Sequence, residues 1–211
     1  MYADSDGIHH QANMLFTIDE SSMSLTDSMY DVSNLTDGYV SHSFNQFIKA
    51  DESGKYIYRV DHSESSNYMM NGSYLSVNGI TLTKYKADGK STAVSVSIPV
   101  KFDINKSNYT GASIGGFELG SGNCLIAYAK DVSSSCKTRN VYISVTDELF
   151  NGTQNIALTN YGTSSKVTCR TPQLIKINDN LFLVMWEEYN SSTGKTATKA
   201  MTVDSNGKTV S

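Results

Sequence analysis

Along LFLVMW (Leu181–Trp186) apolar residues fill both faces of an extended chain. Leu181, Leu183 and Met185 point one way, and Phe182, Val184 and Trp186 point the other. CLIAYA (Cys124–Ala129) repeats the pattern, with Cys124, Ile126 and Tyr128 opposed to Leu125, Ala127 and Ala129. A sheet with one wet face alternates apolar with polar residues. Strands that are apolar on both sides, yet joined by short hairpins, need sheets stacked on each face. Radially packed propeller blades meet that requirement.

Three segments share one plan: NQFIKADESGKYIYRVDHSE (Asn45–Glu64), GGFELGSGNCLIAYAKDVSS (Gly115–Ser134) and PQLIKINDNLFLVMWEEYNS (Pro172–Ser191). Each runs as a short apolar strand, a polar turn, a stronger apolar strand and a polar exit. The turns ADESGK, GSGN and NDN suit tight hairpins. Third strands follow at Tyr74–Lys86, Arg139–Thr146 and Thr196–Asp204, more amphipathic than the second, and fourth strands at Ser91–Phe102 and Gln154–Tyr161. No helical period of useful length occurs. Equivalents of Arg59 and Asp61 are read as Ala127 with Ala129, and Val184 with Trp186, so the first unit replaces an apolar pair by a charged one.

The pattern predicts an all-β chain: a partial β-propeller of about three four-stranded antiparallel blades plus terminal strands of neighbouring blades. One domain is expected over 1–211, with units at about 11–29 (partial), 40–102, 112–161 and 172–204 (partial). A closed propeller has at least about four blades. The chain is therefore expected to be a piece of a larger propeller, completed by the remaining blades of a longer chain or by self-association.

Composition narrows the function classes. Net charge is −4 over 211 residues, and the basic residues are scattered, which disfavours nucleic acid as a partner. No apolar stretch is long enough for a membrane span, and MYADSDGIHHQANMLF lacks the build of a signal peptide. The three cysteines, Cys124, Cys136 and Cys169, form no CxxC, so neither zinc nor a disulfide framework is expected. No Walker loop, GxSxG elbow, dinucleotide fingerprint or calcium loop is present, and no cofactor is expected. Gly115 and Gly116 point instead to close backbone approach.

The segments SHSFNQFI…YIYRVDHSES, GASIGGFEL…CLIAYAKD and TPQLIKINDNLFLVMWEE resemble a group of uncharacterised bacterial β-propeller-like repeat proteins, secreted or displayed at the cell surface. The resemblance spans about residue 9 to the end. It implies an extracellular or cell-surface binding module and carries no activity. The stretch around Asp61–His62 departs from the relatives, which continue with glycine and a second acid where this chain reads DHSES.

The candidate chemistry is sparse. His42, Asn45, Arg59, Asp61 and His62 form the sharpest polar group and are the expected ligand contacts. A metal is not expected there, since Asp61 and His62 are adjacent on a strand and point to opposite faces. No catalytic residue is assigned. The leading expectation is a non-enzymatic module that binds carbohydrate or protein. The alternatives are a glycosidase-like propeller using Asp61, Asp131 and Glu188 as axial carboxylates, and a structural spacer. A sialidase-like arginine triad of Arg59, Arg139 and Arg170 is disfavoured, because the DxxGK turns lack the tryptophan of an Asp-box.

Overall fold

The computed structural model describes residues 2–3, 9–10, 12–13, 16–28, 40–41, 46–70, 73–87, 93–101, 112–133 and 135–210. These are all-β, with no helix among the described residues. The chain divides into two compact units, Met1–Asn105 and Lys106–Ser211.

The first unit opens with short strands: β1 (Tyr2–Ala3) on β2 (His9–His10), β3 (Ala12–Asn13) on β6 (Val40–Ser41), and the hairpin β4 (Phe16–Asp19)–β5 (Ser24–Ser28). A four-stranded antiparallel sheet follows, with β7 (Gln46–Ala50), β8 (Tyr56–Met70), β9 (Ser73–Lys86) and β10 (Ala93–Lys101) side by side in chain order. Its central strands bury Tyr58, Val60, Ile80 and Leu82 on one face. The other face buries Arg59, Asp61, Thr81, Thr83 and Tyr85.

The second unit holds two sheets. One is the meander β11 (Ala112–Gly120), β12 (Asn123–Ser133), β13 (Cys136–Asp147) and β14 (Gln154–Ala157). In the other, β15 (Val167–Cys169) and β16 (Gln173–Asn178) lie in line along one edge of β17 (Leu181–Asn190), and β18 (Lys195–Asp204) lies along the opposite edge. Antiparallel four-stranded sheets laid down in chain order are of the propeller-blade type that the doubly apolar strands predict. The predicted second, third and fourth strands all form, with β8 running on to Met70 and β14 stopping at Ala157.

Turn chemistry sets each hairpin register. Ser121 and Gly122 both have positive φ (49° and 77°), the backbone that a tight two-residue antiparallel turn requires. In the two DxxGK turns an aspartate caps the loop. The Asp51 carboxylate accepts the Tyr56 N–H (2.9 Å), and that of Asp204 accepts the N–H groups of Asn206 and Lys208 (2.9 Å each). Counting from the closing pairs Asp51–Tyr56, Gly120–Asn123 and Asn178–Leu181 aligns Arg59 with Ile126 and Val184, and Asp61 with Tyr128 and Trp186. The expected equivalence to Ala127 and Ala129 is thus off by one residue, because the first loop is longer than the second.

The core of the second unit is the seam between its sheets. Leu125, Ala127, Val141, Ile143 and Val145 of one sheet meet Leu174, Phe182, Val184, Trp186 and Val203 of the other. The inner strands β11 and β16 touch backbone to backbone. A Cβ on Gly116 would sit 2.5 Å from Leu174 Cβ, one on Gly120 2.5 Å from the Asp179 carbonyl oxygen, and one on Gly115 would overlap the Pro172 carbonyl. β12 is buried on both faces as expected, and so is β13, which the pattern had made amphipathic. In β17 only the Phe182, Val184 and Trp186 face is fully buried; Leu181, Leu183 and Met185 are partly buried. Cys124, Cys136 and Cys169 form no disulfide with one another.

Gly116→Ala is expected to destabilise the chain by about 1–3 kcal/mol through overpacking. Gly162→Ala, in open space at an ordinary φ, should leave the melting temperature within a degree or so. Thermal melts of the two variants side by side check this, and equal melting would refute the close-approach reading.

Candidate functional site

The acids singled out by the sequence all sit on second strands, and each has a partner. In the first sheet Asp61 follows Arg59 by two residues, so both side chains leave β8 on one face. Arg59 Nε lies 2.6 Å from Asp61 Oδ2, with both side chains almost wholly buried. The guanidinium also stacks 5.5 Å from the centre of the Tyr85 ring, and the Asp61 carbonyl accepts the Thr81 hydroxyl (3.4 Å). On the opposite face Lys84 Nζ lies 4.2 Å from the Tyr56 ring centre and 5.1 Å from that of Tyr58. Desolvating two charges is costly, and close mutual pairing offsets it. His62 continues β8, whereas His42 and Asn45 lie outside the described residues.

In the second unit, Asp131 faces Arg139 across the β12–β13 ladder, and Arg139 Nε donates to Asp131 Oδ1 at 2.6 Å. Arg139 Nη1 reaches Ser113 Oγ (3.1 Å), which lies 2.7 Å from Thr171 Oγ1 in the link between β15 and β16. Arg170 pairs with Glu187 at 3.3 Å in solvent. Each of the three arginines therefore answers an acid close to it.

Glu188 is held differently. The Tyr161 hydroxyl donates to Glu188 Oε1 at 2.5 Å, Trp186 Nε1 donates to the same oxygen at 3.3 Å, and Lys199 Nζ lies 3.9 Å from Oε2. Asn140 fixes the segment that carries the phenol: its Oδ1 accepts from the Tyr161 N–H (2.7 Å) and the Thr159 hydroxyl (2.9 Å), and its Nδ2 donates to the Tyr161 carbonyl (3.0 Å). Burial, together with the hydrogen bond to Glu188, holds the Tyr161 phenol well above its ordinary range. Burial pushes the adjacent Cys169 thiol up as well. No cluster of three or more metal-ligating side chains occurs among the described residues.

A second polar assembly was not foreseen from sequence. Three turns meet at one end of the second unit. Ser121 Oγ approaches Asn180 Oδ1 (2.5 Å) and the Asp179 carbonyl (3.0 Å). Asn123 Nδ2 donates to the Ser205 carbonyl (2.9 Å) and lies 3.4 Å from Asn206 Oδ1. Ser205 Oγ lies 3.5 Å from Asn180 Oδ1. The signal in the sequence was the recurrence of Ser and Asn in GSGN, NDN and DSNG. Single turns of that kind read as loop chemistry, and only the stacking of sheets brings them together.

No family model matches the sequence, and no curated protein matches it. Among solved structures the chain is similar to the endo-arabinase from Bacteroides thetaiotaomicron, with 10% identity, 96% of this chain and 82% of that chain covered, and a TM-score of 0.45. It is also similar to the GH43 BlXynB protein from Bacillus licheniformis, with 9% identity, 79% and 43% covered, and a TM-score of 0.35. At these values the likeness is one of strand architecture.

Breaking the buried pair alone, by Asp61→Leu, is expected to cost about 3–5 kcal/mol, because Arg59 stays buried without its close counter-charge at 2.6 Å. Arg59→Met with Asp61→Leu should recover much of that loss. Denaturant titration of the three proteins tests this, and a single variant as stable as wild type would contradict it. For Tyr161 the sign follows from the raised phenol pKa: the unfolded chain releases its proton first, so stability falls as pH rises above about 10. Tyr161→Phe should show a shallower alkaline loss in melting temperature between pH 8 and 11.

Proposed function

We propose that the chain is a carbohydrate-directed β-propeller segment that binds a neutral glycan. The observation that carries this reading is the rim of Ser121, Asn123, Asn180 and Asn206. Neutral hydroxyls and carboxamides, offering donors and acceptors without net charge, suit the hydroxyls of an uncharged sugar. The acids support binding over cleavage, since Asp61 and Asp131 are each engaged by an arginine at 2.6 Å. The segment holding His42, Asn45 and His62 is a second proposed contact region, with Arg59 and Asp61 shaping its hairpin from within. Work outside the cell or at its surface belongs to the same proposal.

Hydrolysis is the second reading, in line with the descriptions of the two similar structures. Glu188 is the acid that favours it. Its carboxylate side chain is 15% exposed and meets a phenol and an indole donor, an environment able to hold a carboxyl group for proton transfer.

Affinity electrophoresis in gels containing arabinan or other neutral polysaccharides separates the readings. Retardation without release of reducing sugar is expected, with Asn180→Ala and Asn206→Ala each weakening retention by roughly tenfold, the scale of one or two lost hydrogen bonds. No retardation in any neutral polysaccharide would overturn the binding proposal. Release of reducing sugar that Glu188→Gln abolishes would establish the second reading in its place.

A further inference from the structure

An asparagine followed by glycine carries its own electrophile and nucleophile: the carboxamide carbon and the next backbone nitrogen, which no side chain shields. The sequence holds Asn71–Gly72, Asn78–Gly79, Asn151–Gly152 and Asn206–Gly207. The first lies outside the described residues. The other three are built differently. Gly79 is buried in the middle of a ladder, opposite Ser63 of β8 and Lys101 of β10. Gly207 is buried against Ile156, Val145 and Ile143, and its N–H donates to the Asp204 carbonyl at 2.9 Å. Asn151 and Gly152 are both exposed, in the turn between β13 and β14. A Cβ on Gly152 would meet no atom within 4 Å. The Gly152 N–H and the Asn151 carboxamide have no hydrogen-bond partner among the described residues. The rest of the turn is fixed: the Asn151 N–H donates to Asp147 Oδ1 (2.8 Å), and its carbonyl accepts the Thr146 hydroxyl (3.0 Å).

We propose that Asn151 is a self-modification site, at which the folded chain converts asparagine to aspartate and isoaspartate. The Gly152 nitrogen gives up its proton to solvent and attacks Asn151 Cγ. A bond forms between that nitrogen and Cγ, the Cγ–Nδ2 bond breaks, and Nδ2 takes up a proton and leaves as ammonia. Water then opens the five-membered imide at either carbonyl, giving the two acids. No oxidant, metal or enzyme takes part. The fold chooses the site: it buries the glycine nitrogens at Asn78 and Asn206 and leaves the one at Asn151 in water. The product adds a negative charge to a loop that Glu148 ties to the Ser121–Gly122 turn, through its N–H to the Gly122 carbonyl at 3.0 Å. The proposal is independent of the glycan reading.

Peptide mapping by mass spectrometry tests it, on the full native chain held at mildly alkaline pH and digested in acid at intervals. The peptide carrying Asn151 is expected to gain the mass of an amide-to-acid exchange, as separable aspartyl and isoaspartyl forms. It should do so roughly tenfold faster or more than the peptides carrying Asn78 and Asn206, because those sites react only after local opening. In denaturant the three sites should react at similar rates. Native-state conversion of Asn78 or Asn206 as fast as Asn151 would overturn the proposal. So would an Asn151 that stays intact in the native chain while reacting in denaturant, or a product that is aspartate alone, since direct hydrolysis yields no isoaspartate.

Discussion

The second unit depends on one steric constraint: its inner strands approach more closely than a methyl group allows. Gly115, Gly116 and Gly120 face Pro172, Leu174 and Asp179 with no room for a Cβ. That contact brings the two sheets together. It lets Leu125, Ala127, Val141 and Ile143 close on Phe182, Val184 and Trp186, and burial of those side chains is the main stabilising term in the unit. It also brings the hairpin turns to one end, where Ser121 reaches Asn180 and Asn123 reaches Ser205. The proposed neutral rim exists because the glycines permit the seam.

Charge follows a second regularity. Asp61 and Asp131 are each paired with an arginine on the same or a neighbouring strand, Glu187 is paired with Arg170 just past β15, and Glu188 is held by a phenol and an indole. A general acid or a nucleophile needs its carboxylate facing substrate. Asp61 and Asp131 instead each carry a guanidinium nitrogen 2.6 Å from the carboxylate. Glu188 stands apart, since its partners are neutral donors apart from a distant lysine, and so it is the acid on which the catalytic reading rests.

Much of the fold was legible in the pattern of residues. Doubly apolar runs at Cys124–Ala129 and Leu181–Trp186 predicted strands covered on both sides, and β12 is covered in that way. Gly115 and Gly116 predicted close approach, which they make. The residue equivalence within the repeats was less legible, because the Asp51–Tyr56 loop and the Ser121–Gly122 turn differ in length while the strands look alike. The site was least legible. Arg59 and Asp61 form the anticipated pair, but a spacing of two cannot say whether the pair faces a ligand or a packed sheet. Both side chains are almost wholly buried, which that spacing alone does not foretell.

By itself the sequence determined the alternation, the turns and hence the strand order, since these are local consequences of side-chain period and backbone φ. Which faces are covered was a tertiary decision. β12 and β17 have near-identical apolar patterns, yet one is sealed on both sides and the other leaves Leu183 and Met185 only partly buried. The difference lies in what covers each face, a long-range fact that no strand carries in its own residues.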